Sequence, residues 1–296
     1  MKIIDARCRL TIPEAGNYFR DSAAQFGRQA ALPATMDAFF EDIGKGGIGT
    51  AVAVMGNNPG ARIGKRVMPD RTTSNDLLAR LQQAHWGRLL CVAGIDVSNT
   101  FHDSMREAQR CHELGLRGIF IEPGRAPGCD IDDRRLYPLY ELCSAKKLVV
   151  IPQTSGVVGG ANIDFANPTH LDRVAQDFPQ LRILAGHGCY PYYREAIVVA
   201  GRHEHVYLSP DIYLFHMGTH DWVAEVNANH FGLQDRFLYG TAYPAGLHPQ
   251  QYTEKFMRLP WSPEVLPKIL SGNAMRLFGL ESDPMYRQMY STSTVP

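Results

Sequence analysis

Lys-Ile-Ile-Asp-Ala-Arg-Cys-Arg-Leu, residues 2–10, is the stretch on which the fold turns. Apolar Ile3 and Ile4 open it, and Arg7 and Arg9 follow two residues apart. A strand sends successive side chains to opposite faces, so both guanidinium groups point the same way. Two neighbouring arginines are costly to bury without anions to satisfy them. The far end of this strand is therefore expected to open into a site. A doubly wound sheet would usually carry a Gly-rich phosphate loop after its first strand, and Arg-Cys-Arg stands there instead.

Working outward, short apolar runs at 49–55, 89–95, 116–121, 148–151, 181–185, 206–208 and 236–239 read as further buried strands. Helical patterns at 35–43, 74–85, 101–114, 137–145, 171–178, 192–200 and 222–231 alternate with them, and 263–280 reads as a closing helix. Buried strands joined by helical crossovers imply a parallel sheet covered on both faces. Eight such units favour an α/β (β/α)8 TIM barrel, a single domain over residues 1–284 with a C-terminal tail from Met285 to Pro296. The polar stretch 11–33, with Tyr18, Phe19 and Phe26, is expected as an excursion over a site.

The chain has 296 residues, with 30 Lys plus Arg against 30 Asp plus Glu. That balance gives no electrostatic case for nucleic acid or an anionic membrane, and no run approaches the roughly 18 apolar residues of a membrane span. The strand is expected to begin at residue 2 or 3, so no signal peptide is expected. Six scattered cysteines without a C-x-x-C pair read as reduced, so a cytoplasmic protein is expected. Cys8, between the arginines, faces the helix layer.

In such barrels chemistry gathers at the carboxyl ends of the strands. Read off the sequence, those ends carry Arg7 and Arg9, Asn57 and Asn58, Asp96, Glu122, Gln153 with Thr154 and Ser155, His187, Asp211 with Tyr213, and Thr241 with Tyr243. The order of segments resembles the amidohydrolase superfamily, specifically the amidohydrolase-2 group related to aminocarboxymuconate semialdehyde decarboxylase. The likeness is carried by 3–10, by Leu-Arg-Ile-Leu-Ala-Gly-His-Gly-Cys-Tyr-Pro at 181–191, by Gly-Thr-Ala-Tyr-Pro at 240–244 and by the closing segment 269–280.

The resemblance implies an enzyme on a TIM barrel, with a homodimer expected from the family alone. Its members normally hold a divalent metal through an opening His-x-His, a strand-five histidine and a strand-eight aspartate. Those positions are matched here by Arg7 and Arg9, by Gln153 and by Ala242, while His187 keeps the family's identity. Arginine cannot ligate a cation, and one imidazole with an amide cannot supply a catalytic zinc's three or four ligands. No metal and no cofactor are expected.

Arginine forks match carboxylates bidentately, so Arg7 and Arg9 suit a small anionic substrate or a developing oxyanion. The alternative pairs them with internal acids such as Glu122, Asp211 or Asp5. His187 is the candidate acid or base, with Asp211 or Glu122 tuning it or acting themselves. Gln153, Tyr213 and Tyr243 are candidates for substrate binding. The expected activity is a metal-independent hydrolase of a small carboxylated or lactone- or amide-type substrate, with a decarboxylase as the nearest variant. A non-catalytic ligand-binding barrel, and a metallohydrolase recruiting His187, His216 and His220, are the competing readings.

Overall fold

The structure, a computed structural model, describes residues 1–16, 18, 32–98 and 103–291. Among these, seven parallel strands pair in chain order: β1 (Ile3–Cys8), β2 (Ile48–Val54), β3 (Leu89–Gly94), β4 (Gly118–Ile121), β5 (Val149–Pro152), β6 (Ile183–Gly186) and β7 (Val206–Ser209). The eighth position, expected at 236–239, is extended chain rather than a full strand. Leu208 and Phe237 form one isolated parallel bridge. Leu238 N donates to Leu208 O at 2.9 Å on one side, and Ala6 N donates to Tyr239 O at 3.0 Å on the other. Tyr239 N turns away to Ile269 O at 2.9 Å, which interrupts the ladder. These bonds nevertheless join β7 to β1, so the chain is a TIM barrel.

Eight helices among the described residues lie outside the ring: α1 (Met36–Gly44), α2 (Asn75–Ala84), α3 (Met105–Glu113), α4 (Tyr137–Lys146), α5 (Pro168–Asp177), α6 (Tyr193–Arg202), α7 (Thr219–Ala228) and α8 (Pro249–Met257), while α9 (Asn273–Leu277) and α10 (Pro284–Tyr290) pack against the inner cluster. Their starts follow side-chain chemistry. Thr35 caps α1 by accepting from Ala38 N, and Ser74 caps α2 by accepting from Leu77 N. Residues 101 and 102, expected in the third helix, fall outside the described residues.

The strands separate two apolar layers. Ile4, Ala6, Val52, Val54, Leu90, Val92 and Phe120 fill the barrel interior, and Leu277, Phe278 and Leu280 pack into the same cluster. Cys8, Ala51, Ala53, Cys91 and Ile119 pack outward with the helices.

Three expectations are corrected. The closing helix read over 263–280 is instead a π-helical turn, Lys268–Gly272, leading into α9, and helix α8 precedes it. The stretch after β2, which its glycine, asparagine and proline content reads as a loop, contains two small antiparallel ribbons, Asn57–Asn58 with Arg71–Thr72 and Ala61–Ile63 with Arg66–Met68. The tail from Met285 begins as ordered helix α10, capped by Asp283 and anchored by buried Tyr286, because that ring belongs to the barrel's inner cluster. Phe19, Phe26 and residues 292–296 lie outside the described residues. Among the described residues no helix is long and apolar enough to cross a membrane.

Removing a fully buried ring leaves a cavity, so Tyr286→Ala should cost about 3–5 kcal/mol in denaturant unfolding. Gln288→Ala, on the exposed side of the same helix, should stay within about 0.5 kcal/mol.

Candidate active site

Simple alternation does not aim Arg7 at the site. Ile4 and Ala6 face the barrel interior, which would leave Arg7 outside. The β1–β2 register shifts between Asp5 and Cys8, and this bulge reverses the parity. Its cause is local. Asp5 Oδ1 accepts from Arg7 N at 3.0 Å, and the same carboxylate accepts from Thr241 N and Thr241 Oγ1. After the bulge, Cys8 packs outward and the arginine side chains reach the strand ends. Gly186 makes room beneath, since a Cβ there would collide with Arg7 Nε.

Arg7, His187 and Asp211 converge from the ends of β1, β6 and β7. Arg7 Nη1 donates to Asp211 Oδ2 at 2.8 Å, and Arg7 Nη2 lies 2.9 Å from His187 Nε2. His187 Nδ1 lies 2.8 Å from Asp211 Oδ1. Arginine can only donate, so Nε2 accepts and the proton of a neutral His187 sits on Nδ1, facing Asp211. His187 N and Ile212 N also donate to the Asp211 carboxylate. Burial pushes Asp211 up, but His187 and Arg7 outweigh it and hold it ionised, below the usual range. Burial, with Arg7 beside it, lowers His187 to about 4 against the opposing pull of Asp211. The imidazole is neutral at pH 7.

The backbone at this cluster is strained. His187, Asp211 and Ala242 have φ of +70°, +44° and +52°. Each non-glycine residue there costs on the order of 1–3 kcal/mol, and such strain concentrates at functional sites.

A second cluster forms around Glu122 at the end of β4. Arg71 Nη1 donates to Glu122 Oε1 at 3.2 Å, Arg125 Nη1 lies 2.8 Å from the same oxygen, and Asn58 Nδ2 donates to Oε2. Burial raises Glu122, yet Arg125, Arg71 and Arg9 together bring it below its usual value. Gln153 also hydrogen-bonds this carboxylate. Arg9 stands near both clusters, with its guanidinium carbon 5.3 Å from the Phe120 ring centroid. Its Nη1 donates to Cys8 O at 3.2 Å, and among the described residues it forms no ion pair.

Of the residues singled out at the strand ends, the structure brings Arg7, His187 and Asp211 together, and Glu122 with Gln153 in an adjoining group. Tyr213 stands edge-on to His187 with ring centroids 5.1 Å apart, its hydroxyl paired with Ser155 Oγ at 2.9 Å. Tyr243 does not join them; its hydroxyl donates to Asp42 of α1 at 2.7 Å. His220 is exposed, and His216 contacts Tyr213 by its ring. Asn58 was visible as a strand-end residue without a role. Arg71 and Arg125 were missed; Arg71 reaches the site on a ribbon that no periodicity announces.

The donor set does not fit a divalent cation. The Arg7 guanidinium packs against both His187 and Asp211, a permanent charge that would oppose a metal. The one group of three convergent potential ligands among the described residues is Asp130, Asp164 and His170. It belongs to the loops after β4 and β5 and the start of α5, beside a cavity of about 370 Å³ that none of Arg7, His187, Asp211 or Glu122 lines. Chemistry is assigned to the strand ends, where buried charges converge, and not to that rim.

The family model described as Amidohydrolase matches residues 6–280. The chain belongs to the amidohydrolase family. An uncharacterized TIM-barrel protein from Bordetella bronchiseptica is 36% identical, with a TM-score of 0.80, over 94% of this chain and 99% of that one. A dihydroxybenzoic acid decarboxylase from Polaromonas, solved with bound manganese and an inhibitor, shares the fold at 18% identity and TM-score 0.68, covering 96% and 98%. A Pseudomonas putida protein assigned as a 2-pyrone-4,6-dicarboxylic acid hydrolase shares it at 18% identity and TM-score 0.64, covering 95% and 98%. No curated protein matches the chain.

Asp5 offers a test of this family member's wiring. Burial raises its pKa from 3.8 to about 6 despite the hydrogen bonds from Thr241 and Arg7. Stability from its protonated form is fully present below pH 3.8 and lost as pH rises through about 6. The stability of the wild type relative to Asp5→Asn should therefore fall by about 2 kcal/mol between pH 4 and pH 7, measured by urea unfolding at each pH.

Proposed function

We propose that the chain is a metal-independent amidohydrolase-type hydrolase of a small carboxylated or lactone- or amide-type substrate, with arginines binding the anion. The observation that carries the reading is the Arg7 guanidinium in contact with both His187 and Asp211. There it supplies fixed positive charge at the point where a tetrahedral oxyanion would develop, a kind of contact worth several kcal/mol to a transition state. His187 is the acid/base group. Asp211 fixes its tautomer and would stabilise the imidazolium formed when Arg7 Nη2 releases Nε2 and that nitrogen takes a proton from water, the hydroxide so formed adding to the substrate carbonyl. Arg9 holds the substrate's anion, and Gln153 and Tyr213 line the approach. Glu122, engaged by two arginines, is the remaining candidate for a catalytic carboxylate. The convergence of these groups supports catalysis over a non-catalytic binding barrel.

Decarboxylation of a small carboxylic acid is the second reading, supported by the shared fold of the Polaromonas decarboxylase. A positively charged pocket that grips a carboxylate could serve either outcome. Proposed circumstances of the same enzyme are a cytoplasmic location and a homodimeric state, with no nucleic-acid or membrane partner.

The test is a screen of lactones, amides and aromatic carboxylic acids with protein purified without chelator and then dialysed against EDTA. Turnover should survive EDTA, and His187→Ala should lower kcat by about 10²–10⁴-fold. Stoichiometric zinc or manganese whose removal abolishes activity would overturn the metal-free reading, and full activity of His187→Ala would overturn the site. Evolution of CO2 would select the decarboxylase.

A further inference from the structure

Among the four buried guanidiniums near the strand ends, three are spoken for. Arg7 is paired with Asp211, and Arg71 and Arg125 with Glu122. Arg9 has the Cys8 carbonyl and the face of Phe120 but no carboxylate among the described residues, though it is almost fully buried. Its nearest counter-charge, Glu122, already pairs with Arg71 and Arg125 and forms no ion pair with it; a buried permanent charge so poorly compensated is expensive, so this is where the site gains most from an incoming anion. Below it the barrel is apolar, with Ile4, Val54 and Phe120 in one cluster, so the anion must come from the open end.

His187 is held by Arg7, which lies two residues before Arg9 in the chain, at the same end of β1. The charged and titratable groups facing it are Arg7 and Arg9 from β1, and Asp211 and Tyr213 from the segment after β7. Arg7 Nη2 at 2.9 Å from Nε2 opposes a second proton on the ring, and Arg9 acts in the same direction from farther off. We propose that Arg9 is the carboxylate anchor, and that a substrate carboxylate bound there neutralises the field on His187, so that the substrate's own anion prepares the imidazole to act as a base. This rests on the reading of a small carboxylated substrate given above. Arg7 keeps its part at the oxyanion and, held by Asp211, also positions the ring. Binding energy from a non-reacting carboxylate would appear in kcat and not only in KM.

The probe is 2,6-dichlorobenzoate, an aromatic carboxylate that stays ionised in mild acid, with 2,6-dichlorobenzamide as the neutral counterpart. His187 is followed by NMR in histidine-labelled protein, its resonance assigned by loss in His187→Gln. The carboxylate should raise the His187 midpoint by about one pH unit or more from its starting value near 4, and the amide should leave it in place. Arg9→Gln should abolish that rise and weaken carboxylate binding at least about tenfold by calorimetry, while Arg9→Lys, which keeps a point charge, retains part of both. Full binding and a full rise in Arg9→Gln would overturn the anchor while leaving an anionic substrate standing. Binding through Arg9 with no change at His187 would overturn the coupling. If the wild type binds the carboxylate no better than the amide, the anchor falls together with the carboxylated-substrate reading.

Discussion

The contact between Arg7 and Asp211 is the constraint around which the upper end of the barrel is arranged. It joins β1 to the segment after β7 across a fully buried gap, and both partners also hold His187. Desolvating such a pair costs several kcal/mol per ion, which only good geometry and further hydrogen bonds offset. The structure supplies both: Asp211 receives His187 N and Ile212 N in addition to the two side chains. The pair is therefore weak as a source of net stability and strong as a device for specificity. Without Arg7, a carboxylate and an imidazole would face each other with one charge unmet.

Two buried groups in this region respond to acid in opposite senses. The neutral imidazole of His187 contributes stability that is present above pH 6.5 and lost as pH falls through about 4. Protonated Asp5 contributes stability that is lost as pH rises from 3.8 through about 6. Between those limits the two nearly cancel, so the ionisable machinery can be buried without a steep dependence of folding on pH. The bulge residue and the candidate base are thermodynamic counterweights.

Much of this was legible in the chain. The alternation of apolar runs with helical patterns gave the barrel, because buried parallel strands need little beyond β-branched content to declare themselves. Strand-end reading gave Arg7, His187, Asp211 and Glu122, since a charge that closes a buried apolar run must meet either a partner or a ligand. The bulge at Asp5 was not legible: alternation puts both arginines on one face, but counted from Ile4 and Ala6 that face is the outer one, and it turns inward only because a carboxylate intercepts an amide and resets the parity. Arg71 and Arg125 depend on how irregular segments fold back. Tyr243 ends its strand correctly but sends its hydroxyl to Asp42, because side-chain direction after a strand is set by the loop.

The seam between β7 and β1 has a further implication. One bridge and a few amide bonds replace a full eighth ladder there, and Tyr239 N is lent to Ile269. Side chains finish the closure: Asp5 grips Thr241, and Tyr239 hydroxyl meets Thr253 at 2.7 Å. Elsewhere the ring is fastened by repeating backbone bonds that tolerate almost any residue. At the seam it is buttoned by particular polar atoms, so neutral drift should be slowest where regular secondary structure is least.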